Sequence, residues 1–431
     1  MGRGRCGFDR LSLRYKLSLR EVARGRVVAC VGKVVYPALQ RAIDEIVSQS
    51  MPILPTQPTF PRGFLPDPDP LLHLPPGCEA WDALGAALHK LVISDHLRGQ
   101  VEALPPLPLD TLQSPAELWR AASLLAYISS LYVLGSGGPP VARIPTVVAV
   151  PFYAVATKLG IPPILSYALQ AMHNWRRIDP AGPIAAGNLT LLHNFLGGMD
   201  EEWFVTLHIE IEAKAGAALR VLAPAQAATL TDDAATLIAH LQTVGDTLQT
   251  MHDILGRMTE RCDPYIYYHR VRPFMFGWKD NAALPDGVLY EGVAAYGERP
   301  VQLRGETGAQ SAIIPAIDAA LGIHHERDEM RVYLTEMRDY VPPRDRAFVA
   351  ALEQGGTIRQ YVADRQAAQP ALRDAYNYAV EKLTQFRTRH IEFAALYILK
   401  PAQTKDAVGT GGTPFTFYLK KHIKETDAHL L

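Results

Sequence analysis

One segment near the carboxyl end constrains the fold of this chain more than any other. From residue 383 to residue 399, apolar and aromatic residues recur at spacings of three and four, which predicts an α-helix with a single apolar stripe. The stripe consists of Leu383, Phe386, His390, Phe393, Ala394 and Tyr397. A histidine therefore lies in the middle of a face that we expect to pack against the interior.

The position of His390 allows two interpretations. An inward-facing histidine is more often a core residue whose ring bonds to a backbone carbonyl, and periodicity alone favours that interpretation. The alternative is an imidazole that an apolar wall presents to a metal or a haem. The choice between them depends on what the rest of the chain places nearby.

Helical periodicity dominates the remainder of the 431 residues, and runs with the period of two that is typical of strands are few. Ser114 to Glu117 has the serine, proline and glutamate of a capped helix start. Further helices are predicted over residues 81–101, 166–177, 200–219, 232–261 and 371–400. We therefore predict an all-α fold with a small helical domain over residues 51–197 and a larger one over 198–431.

The first fifty residues are rich in arginine and poor in acidic residues. A transit peptide is one interpretation of such a composition. We prefer another, in which residues 1–50 are a non-native or disordered leader, because Met51 opens a proline-rich segment typical of a mature N-terminus.

Charge and hydropathy argue against several classes of protein. The formal net charge of −1 gives no basic field for nucleic acid or a membrane surface. No run of about 18 apolar residues is present, so no transmembrane helix is expected. The cysteines form no metal-binding or disulfide spacing and are interpreted as free thiols in a reducing, cytoplasmic compartment. They are Cys6, Cys30, Cys78 and Cys262.

Residues that could bind a ligand are scattered along the chain. Arg272 lies among aromatic residues, an arrangement that suits a planar anion, although an arginine paired with a core carboxylate is an equal alternative. His208 shares a predicted stripe with Phe204 and is expected to face inward, as a core histidine or as a functional one. His324 and His325 are adjacent and are interpreted as surface or turn residues.

Seven short motifs occur in order between Met51 and the end of the chain. They are Leu159–Trp175, Glu202–Glu212, Arg270–Lys279, Gly308–Ser311, Tyr340–Pro343, Arg389–Leu399 and Gly409–Thr413. Together they resemble the indoleamine 2,3-dioxygenase family. Each motif is weak by itself, but their order and spacing make the resemblance specific.

The resemblance implies an enzyme with haem b iron in the larger domain. Such an enzyme adds both atoms of dioxygen across the indole 2,3-bond of L-tryptophan and forms N-formylkynurenine, the first step of tryptophan catabolism to kynurenine. The implied partners are L-tryptophan, dioxygen and an electron donor that keeps the iron ferrous. No nucleic acid or membrane partner is expected, and we expect a monomer.

The resemblance also assigns roles around the haem. His390 matches the proximal ligand of the haem iron, which reverses the preference for a core histidine. Arg272 matches the residue that binds the substrate carboxylate. Thr307 and Gly308 match a turn beside the haem and the substrate ammonium.

Other matched residues enclose the substrate. Tyr167 and Phe204 match the aromatic lining of the indole pocket. Tyr267 stands where the family usually has phenylalanine, so a hydroxyl is added to the pocket wall. Thr410 matches the threonine of a lid, consistent with a glycine-rich loop that can close over a ligand.

One departure from the family concerns the distal side of the haem. His208 aligns where familiar members have serine, and a shift of two residues would place Thr206 there instead. We prefer His208, which could accept the indole N–H or bond to the bound oxygen. Two alternatives therefore stay open: a related haem oxygenase for another indole or aromatic amine, and a haem sensor or carrier without catalytic activity.

Overall fold

Most of this protein is α-helical. The computed structural model describes residues 60–135, 138–326, 328–356, 358–403, 409–411 and 416–431, so the predicted leader over residues 1–50 lies outside the described part of the chain. In chain order the helices are α1 (Glu79–Ile93), α2 (Leu97–Glu102), α3 (Pro115–Leu134), α4 (Thr146–Leu159), α5 (Met199–Leu230), α6 (Ala234–Gly256), α7 (Pro264–Ile266), α8 (Ile313–Leu321), α9 (Glu329–Met337), α10 (Pro343–Gln354), α11 (Ile358–Arg365), α12 (Pro370–Ala394), α13 (Lys400–Ala402) and α14 (Thr416–Asp427).

The strands are short, and four of them form two two-stranded sheets. They are β1 (Pro61–Phe64), β2 (Arg143–Ile144), β3 (Trp175–Arg177), β4 (Leu189–Leu191) and β5 (Leu289–Tyr290). β2 pairs in parallel with β5, and β3 pairs antiparallel with β4, Trp175 opposite Leu191. The all-α prediction is confirmed as a largely helical fold with five short strands among the described residues, and the division into two domains at residue 197 stays a prediction.

Single turns of 3-10 or π helix link or extend the α-helices. The π turns are Ala168–Met172, Tyr267–Val271 and Ala395–Leu399. The 3-10 turns are Leu109–Thr111, Arg257–Glu260, Arg272–Met275, Ala294–Tyr296, Gly308–Gln310 and Arg338–Tyr340.

Helix α6 holds the other two long helices, α5 and α12, in place. The Asp233 carboxylate accepts a hydrogen bond from the Thr236 N–H at 3.0 Å and caps the start of α6. After this cap, buried apolar residues recur at spacings of three and four, and each contributes roughly 1.5–3 kcal/mol through burial. They include Leu237, Leu241, Val244, Leu248, Met251 and Leu255. α6 packs along both α5 and α12, whereas these two make few direct contacts with each other.

A glycine permits the close packing of α6 on α12. A Cβ atom added to Gly245 would overlap the ring of Tyr378 on α12. The Tyr378 hydroxyl also donates a hydrogen bond to Asp246 at 2.8 Å, so the ring is tied to the same turn of α6. The distance between the two helices therefore depends on the absence of a side chain at residue 245.

Two predicted helices differ in the structure. The segment over residues 81–101 forms two helices, α1 and α2, instead of one. The helix predicted over 166–177 was wrong, because this segment contains only the π turn Ala168–Met172 and then strand β3. In that second segment the Asn174 side chain donates to the Tyr127 hydroxyl and to the His193 carbonyl, and its oxygen accepts the His193 N–H at 2.8 Å. These bonds to distant residues turn the chain into strand β3 and outweigh its local helical pattern.

The capping prediction at Ser114 is confirmed. The Ser114 hydroxyl accepts the Glu117 N–H, and the Glu117 carboxylate accepts the Ser114 N–H at 2.7 Å. Helix α3 follows as a helix that is buried on nearly every face from Arg120 to Val133. Among the described residues, no helix is long and apolar enough to cross a membrane.

We predict that Gly245→Ala lowers the free energy of unfolding by about 1–3 kcal/mol, because the added methyl group forces the Tyr378 ring and α12 to shift. Gly256→Ala on the same helix is the control, since a Cβ there has nothing within 4 Å. The control should be neutral or stabilising by up to about 1 kcal/mol. Urea denaturation measures both values, and equal destabilisation by the two substitutions would contradict the packing argument.

Candidate functional site

A large cavity opens between the long helices. Its volume is about 960 Å³, at the upper end of the roughly 300–1,000 Å³ usual for ligand pockets. Each long helix contributes to its wall, α5 through His208, α6 through Met251 and Leu255, and α12 through His390. The cavity thus lies where α6 keeps α5 and α12 apart.

All nine site residues predicted from the sequence line this cavity. They are Tyr167, Phe204, His208, Tyr267, Arg272, Thr307, Gly308, His390 and Thr410. These residues come from six separate stretches of chain, and only the tertiary fold brings them together. The roles assigned to them by resemblance stay predictions, whereas their common location is a property of the structure.

His390 lies near the end of α12, and its ring faces the cavity. The predicted stripe is present, with Leu383 fully buried and with Phe386, Phe393 and Tyr397 also in the cavity wall. No hydrogen-bond acceptor for the ring is found within the described residues, unlike a core histidine bonded to a carbonyl. The side chain is exposed to the cavity, and desolvation by the protein around it, followed by the charge of His208, lowers the pKa of His390 to about 4, so the ring is neutral and has a lone pair available.

His208 lies on α5 and lines the cavity as well. Its Nδ1 lies 2.7 Å from the carbonyl oxygen of Phe204, and because a carbonyl only accepts, Nδ1 carries the proton. Burial lowers the pKa of His208, so the ring is neutral and Nε2 is left as an acceptor. Thr206 is not among the residues that line the cavity, and its hydroxyl donates to the Glu202 carbonyl of its own helix at 2.7 Å.

Arg272 is a buried cation held against two aromatic rings. Its guanidinium carbon lies 5.3 Å from the ring centre of Tyr268 and 4.7 Å from that of Phe276. The residue is 4% exposed, and burial lowers the pKa of its guanidinium. The group nevertheless stays charged at neutral pH, as arginine does in proteins, and the two rings favour the cation. A guanidinium can form two parallel hydrogen bonds with a carboxylate, so Arg272 is a candidate for binding an anionic ligand.

Aromatic rings form a continuous wall beside Arg272. The ring centre of Phe204 lies 4.7 Å from that of Tyr267 and 4.6 Å from that of His208. Tyr167 lies edge-on to His208 at 6.2 Å. A flat aromatic ligand can therefore contact several ring faces at once.

The turn from Gly305 to Ser311 forms another side of the cavity. The Thr307 hydroxyl caps the 3-10 turn by accepting the Ala309 N–H. The Gln310 side chain accepts the Tyr167 N–H at 2.9 Å and donates to the Gly305 carbonyl, so the turn is bonded to the aromatic wall. The turn therefore holds a fixed position relative to Tyr167.

Part of the predicted lid also reaches the site. Residues 409–411 are described, and residues 412 and 413 of the predicted loop lie outside the described residues. The Thr410 hydroxyl donates to the Glu306 carbonyl, and the Gly411 carbonyl accepts from Arg304 at 2.9 Å. The loop is thus bonded to the turn that carries Thr307 and Gly308.

Sequence reasoning missed two buried acids near the site. Glu212 is fully buried, accepts the Ser311 hydroxyl at 2.8 Å, and has its pKa raised by burial to about 7. Glu306 lines the cavity, and burial raises its pKa to about 8. The sequence offered no signal for either, because one lies in a helix rich in glutamate and the other in a turn of small residues.

His324 is exposed, as predicted, and His325 lies in the loop between α8 and α9, but the side chain of His325 is not at the surface. Its side chain is 4% exposed, its Nδ1 donates a hydrogen bond to the Glu425 carboxylate at 2.7 Å, and its ring stacks on His422 at 4.2 Å. Next to it, Arg387 donates to Asp318 at 2.6 Å. This ion-pair network joins α8, α12 and α14 one turn before His390 and so fixes the end of α12 that carries the histidine.

We predict that Glu212→Gln changes the pH dependence of stability. Between the ordinary value of 4.5 and the folded value of about 7, the folded state keeps a proton that the unfolded state has released. The contribution of Glu212 to the free energy of unfolding is therefore fully present below pH 4.5. It is lost as the pH rises through 7, and the total loss is at most about 3 kcal/mol. Glutamine does not titrate, so the variant should gain stability relative to the parent by up to that amount between pH 4.5 and 8. Urea denaturation at several pH values measures the difference, and a constant difference would contradict the buried titration.

The family model of indoleamine 2,3-dioxygenase matches residues 59–429. Indoleamine 2,3-dioxygenase 1 of Mus musculus is 34% identical over 377 residues, which cover 83% of this chain and 91% of the mouse protein. The indoleamine 2,3-dioxygenase of Saccharomyces cerevisiae is 31% identical, covering 85% of this chain and 91% of the yeast protein. A 6-hydroxytryptophan 2,3-dioxygenase of Fusarium equiseti is 32% identical, covering 83% of this chain and 93% of the fungal protein.

Proposed function

The chain belongs to the indoleamine 2,3-dioxygenase family and is an enzyme of that type, and on this premise we propose that its substrate is L-tryptophan. The reaction inserts both atoms of dioxygen across the indole 2,3-bond and yields N-formylkynurenine. The observation that carries this proposal is the arrangement in one cavity of a neutral imidazole, an aromatic wall and a desolvated arginine. An indole, a carboxylate and a haem each find a matching surface there.

The family is haem-dependent, and the residues of the cavity fit that cofactor. His390 has a neutral ring without an acceptor among the described residues, and Phe386 and Phe393 line the cavity beside it. His390 would hold the haem iron, and the two phenylalanines would provide an apolar surface for the macrocycle. When bound, the haem supplies the activation of dioxygen, with an electron donor keeping its iron ferrous.

Arg272 would orient the amino acid. Its buried guanidinium is the group best suited to a carboxylate, and the rings of Tyr268 and Phe276 restrict its position. With the carboxylate bound there, the indole would lie against Phe204 and Tyr267. Thr410, bonded to the Glu306 carbonyl, would help the loop exclude water from the reacting atoms.

His208 would act on the indole N–H. Its Nδ1 proton is bonded to the Phe204 carbonyl, so Nε2 offers a lone pair on the cavity side. An indole N–H buried in an apolar site needs such an acceptor. Thr206 does not line the cavity and so offers none there.

One observation favours a second candidate substrate, a hydroxylated tryptophan. Tyr267 adds a phenol hydroxyl to the aromatic wall, and that hydroxyl can bond to a polar substituent on an indole ring. A relative from Fusarium equiseti carries the name 6-hydroxytryptophan 2,3-dioxygenase. L-Tryptophan and 6-hydroxytryptophan should therefore be compared directly.

The experiment that tests the function is incubation of reduced, haem-loaded protein with L-tryptophan and dioxygen. We expect N-formylkynurenine by mass spectrometry. His390→Ala should lose the product and the haem absorption spectrum of the parent, whereas His240→Ala, on the outer part of α6, should retain both. Haem binding without product from either indole would favour a haem sensor, and an unchanged spectrum in His390→Ala would refute the ligand assignment.

A separate prediction concerns the hydrogen bond to the indole nitrogen. His208→Ala should raise the KM for L-tryptophan roughly 2- to 10-fold, the value of one net hydrogen bond. The KM for 1-methyl-L-tryptophan, which has no indole N–H, should change little. His208→Gln keeps an acceptor and serves as the control. If the KM values for both substrates rise equally, His208 does not bind the indole N–H, and its role is in packing or near the bound dioxygen.

A further inference from the structure

We infer that this protein binds a divalent metal ion of the zinc type at a second site, formed by His325, His422 and Glu425. None of the three residues has a role in the proposed reaction, so the metal site goes beyond that function and does not depend on it. The ion would join helix α14, at the end of the chain, to the loop between α8 and α9.

The three side chains come from two parts of the chain. His422 and Glu425 are three residues apart on α14 and therefore share one face of the helix. His325 faces them from the loop between α8 and α9. One donor atom from each residue lies within 4.8 Å of the other two. Donors around a tetrahedral zinc ion are roughly 3.4 Å apart, so small rotations of these side chains bring them to binding distance.

The contact between His325 and Glu425 is a place where a metal ion can replace a proton. The Nδ1 atom of His325 lies 2.7 Å from the Glu425 carboxylate. Imidazole nitrogen and carboxylate oxygen are both zinc ligands, so zinc can bind between them. The proton then moves to Nε2 of His325, which lies 3.6 Å from the Asp318 carboxylate. A carboxylate behind a coordinated histidine is the usual outer partner of a zinc ligand.

His422 supplies a nitrogen that has no competing partner. The residue is 7% exposed, and its Nε2 is buried without a hydrogen-bond partner among the described residues. Burial, and next the charges of His325 and Arg387, lower the pKa of His422 to about 4, so its ring is neutral, the form that binds metals. The planes of the two stacked rings differ by 28°, so one ring has to turn before both lone pairs meet at one ion.

Two cationic side chains border the cluster, and each is paired with an acid outside it. Lys421 lies 2.6 Å from Asp328, closer than its 3.4 Å to Glu425. Arg387 donates to Asp318 at 2.6 Å. Both positive charges are therefore balanced by other carboxylates, and Glu425 is available to balance the charge of a metal ion.

A metal ion in this position would restrain the wall of the cavity. His325 and His422 line the same cavity as His390. Helix α14 packs against α12, which carries His390, and it follows the loop that carries Thr410. The thermal stability of the protein should therefore depend on the metal ion.

Isothermal titration calorimetry with zinc chloride tests this inference on the haem-loaded protein. Haem is loaded first, because His390 would otherwise offer a competing imidazole. We expect one zinc ion per chain with a Kd of about 10 μM or tighter, and a higher Tm in its presence. Mg²⁺, which prefers oxygen ligands, should do neither. The zinc X-ray absorption spectrum, which haem iron does not obscure, should show two imidazole ligands.

Two substitutions locate the ion. His422→Ala and Glu425→Gln should each weaken zinc binding at least about 10-fold and abolish the rise in Tm. Glutamine still accepts the His325 N–H, so Glu425→Gln decides the outcome if loss of the His422 ring disturbs folding. His240→Ala, on α6, removes an imidazole elsewhere and should bind zinc as the parent does. No zinc binding by the parent at this affinity, or parental affinity in Glu425→Gln, would overturn the inference.

Discussion

The packing of α6 against both α5 and α12 is the interaction on which the site depends. A buried apolar stripe on α6 and the contact of Gly245 with Tyr378 fix α12, while α5 packs along the same helix. Because α5 and α12 scarcely touch each other, a cavity remains where they diverge, with one histidine on each side. The helices are thus rigid supports, and the opening between them is a direct result of their packing.

The walls of that opening carry polar groups that folding alone would not favour. Arg272 is desolvated against aromatic rings, Glu306 has an oxygen without a partner among the described residues, and His390 has no acceptor there. Of these groups, the buried Glu306 oxygen costs stability, because a buried polar atom without a hydrogen-bond partner is unfavourable. Their common location in one cavity, beside an aromatic wall, is the physical sign of a binding site.

Local signals predicted some elements well and failed where distant residues intervene. The stripe around His390 and the cap at Ser114 depend on neighbours within four positions, and both are present in the structure. The helix predicted over residues 166–177 failed because Asn174 bonds to Tyr127 and His193. The burial of the His325 side chain was not predicted for the same reason, since its partners Asp318 and Glu425 come from other helices.

The amino-acid sequence contains the helical periodicity, the apolar stripe that includes His390 and, in seven ordered motifs, the resemblance to the family. Periodicity reports only which side of a helix avoids water, because it records spacing along one element. The three-dimensional structure was needed to place His208, and not Thr206, in the cavity wall, and to place Glu306 beside the turn Arg272–Met275. Both results depend on hydrogen bonds and close packing between residues far apart in the chain, which no local pattern encodes.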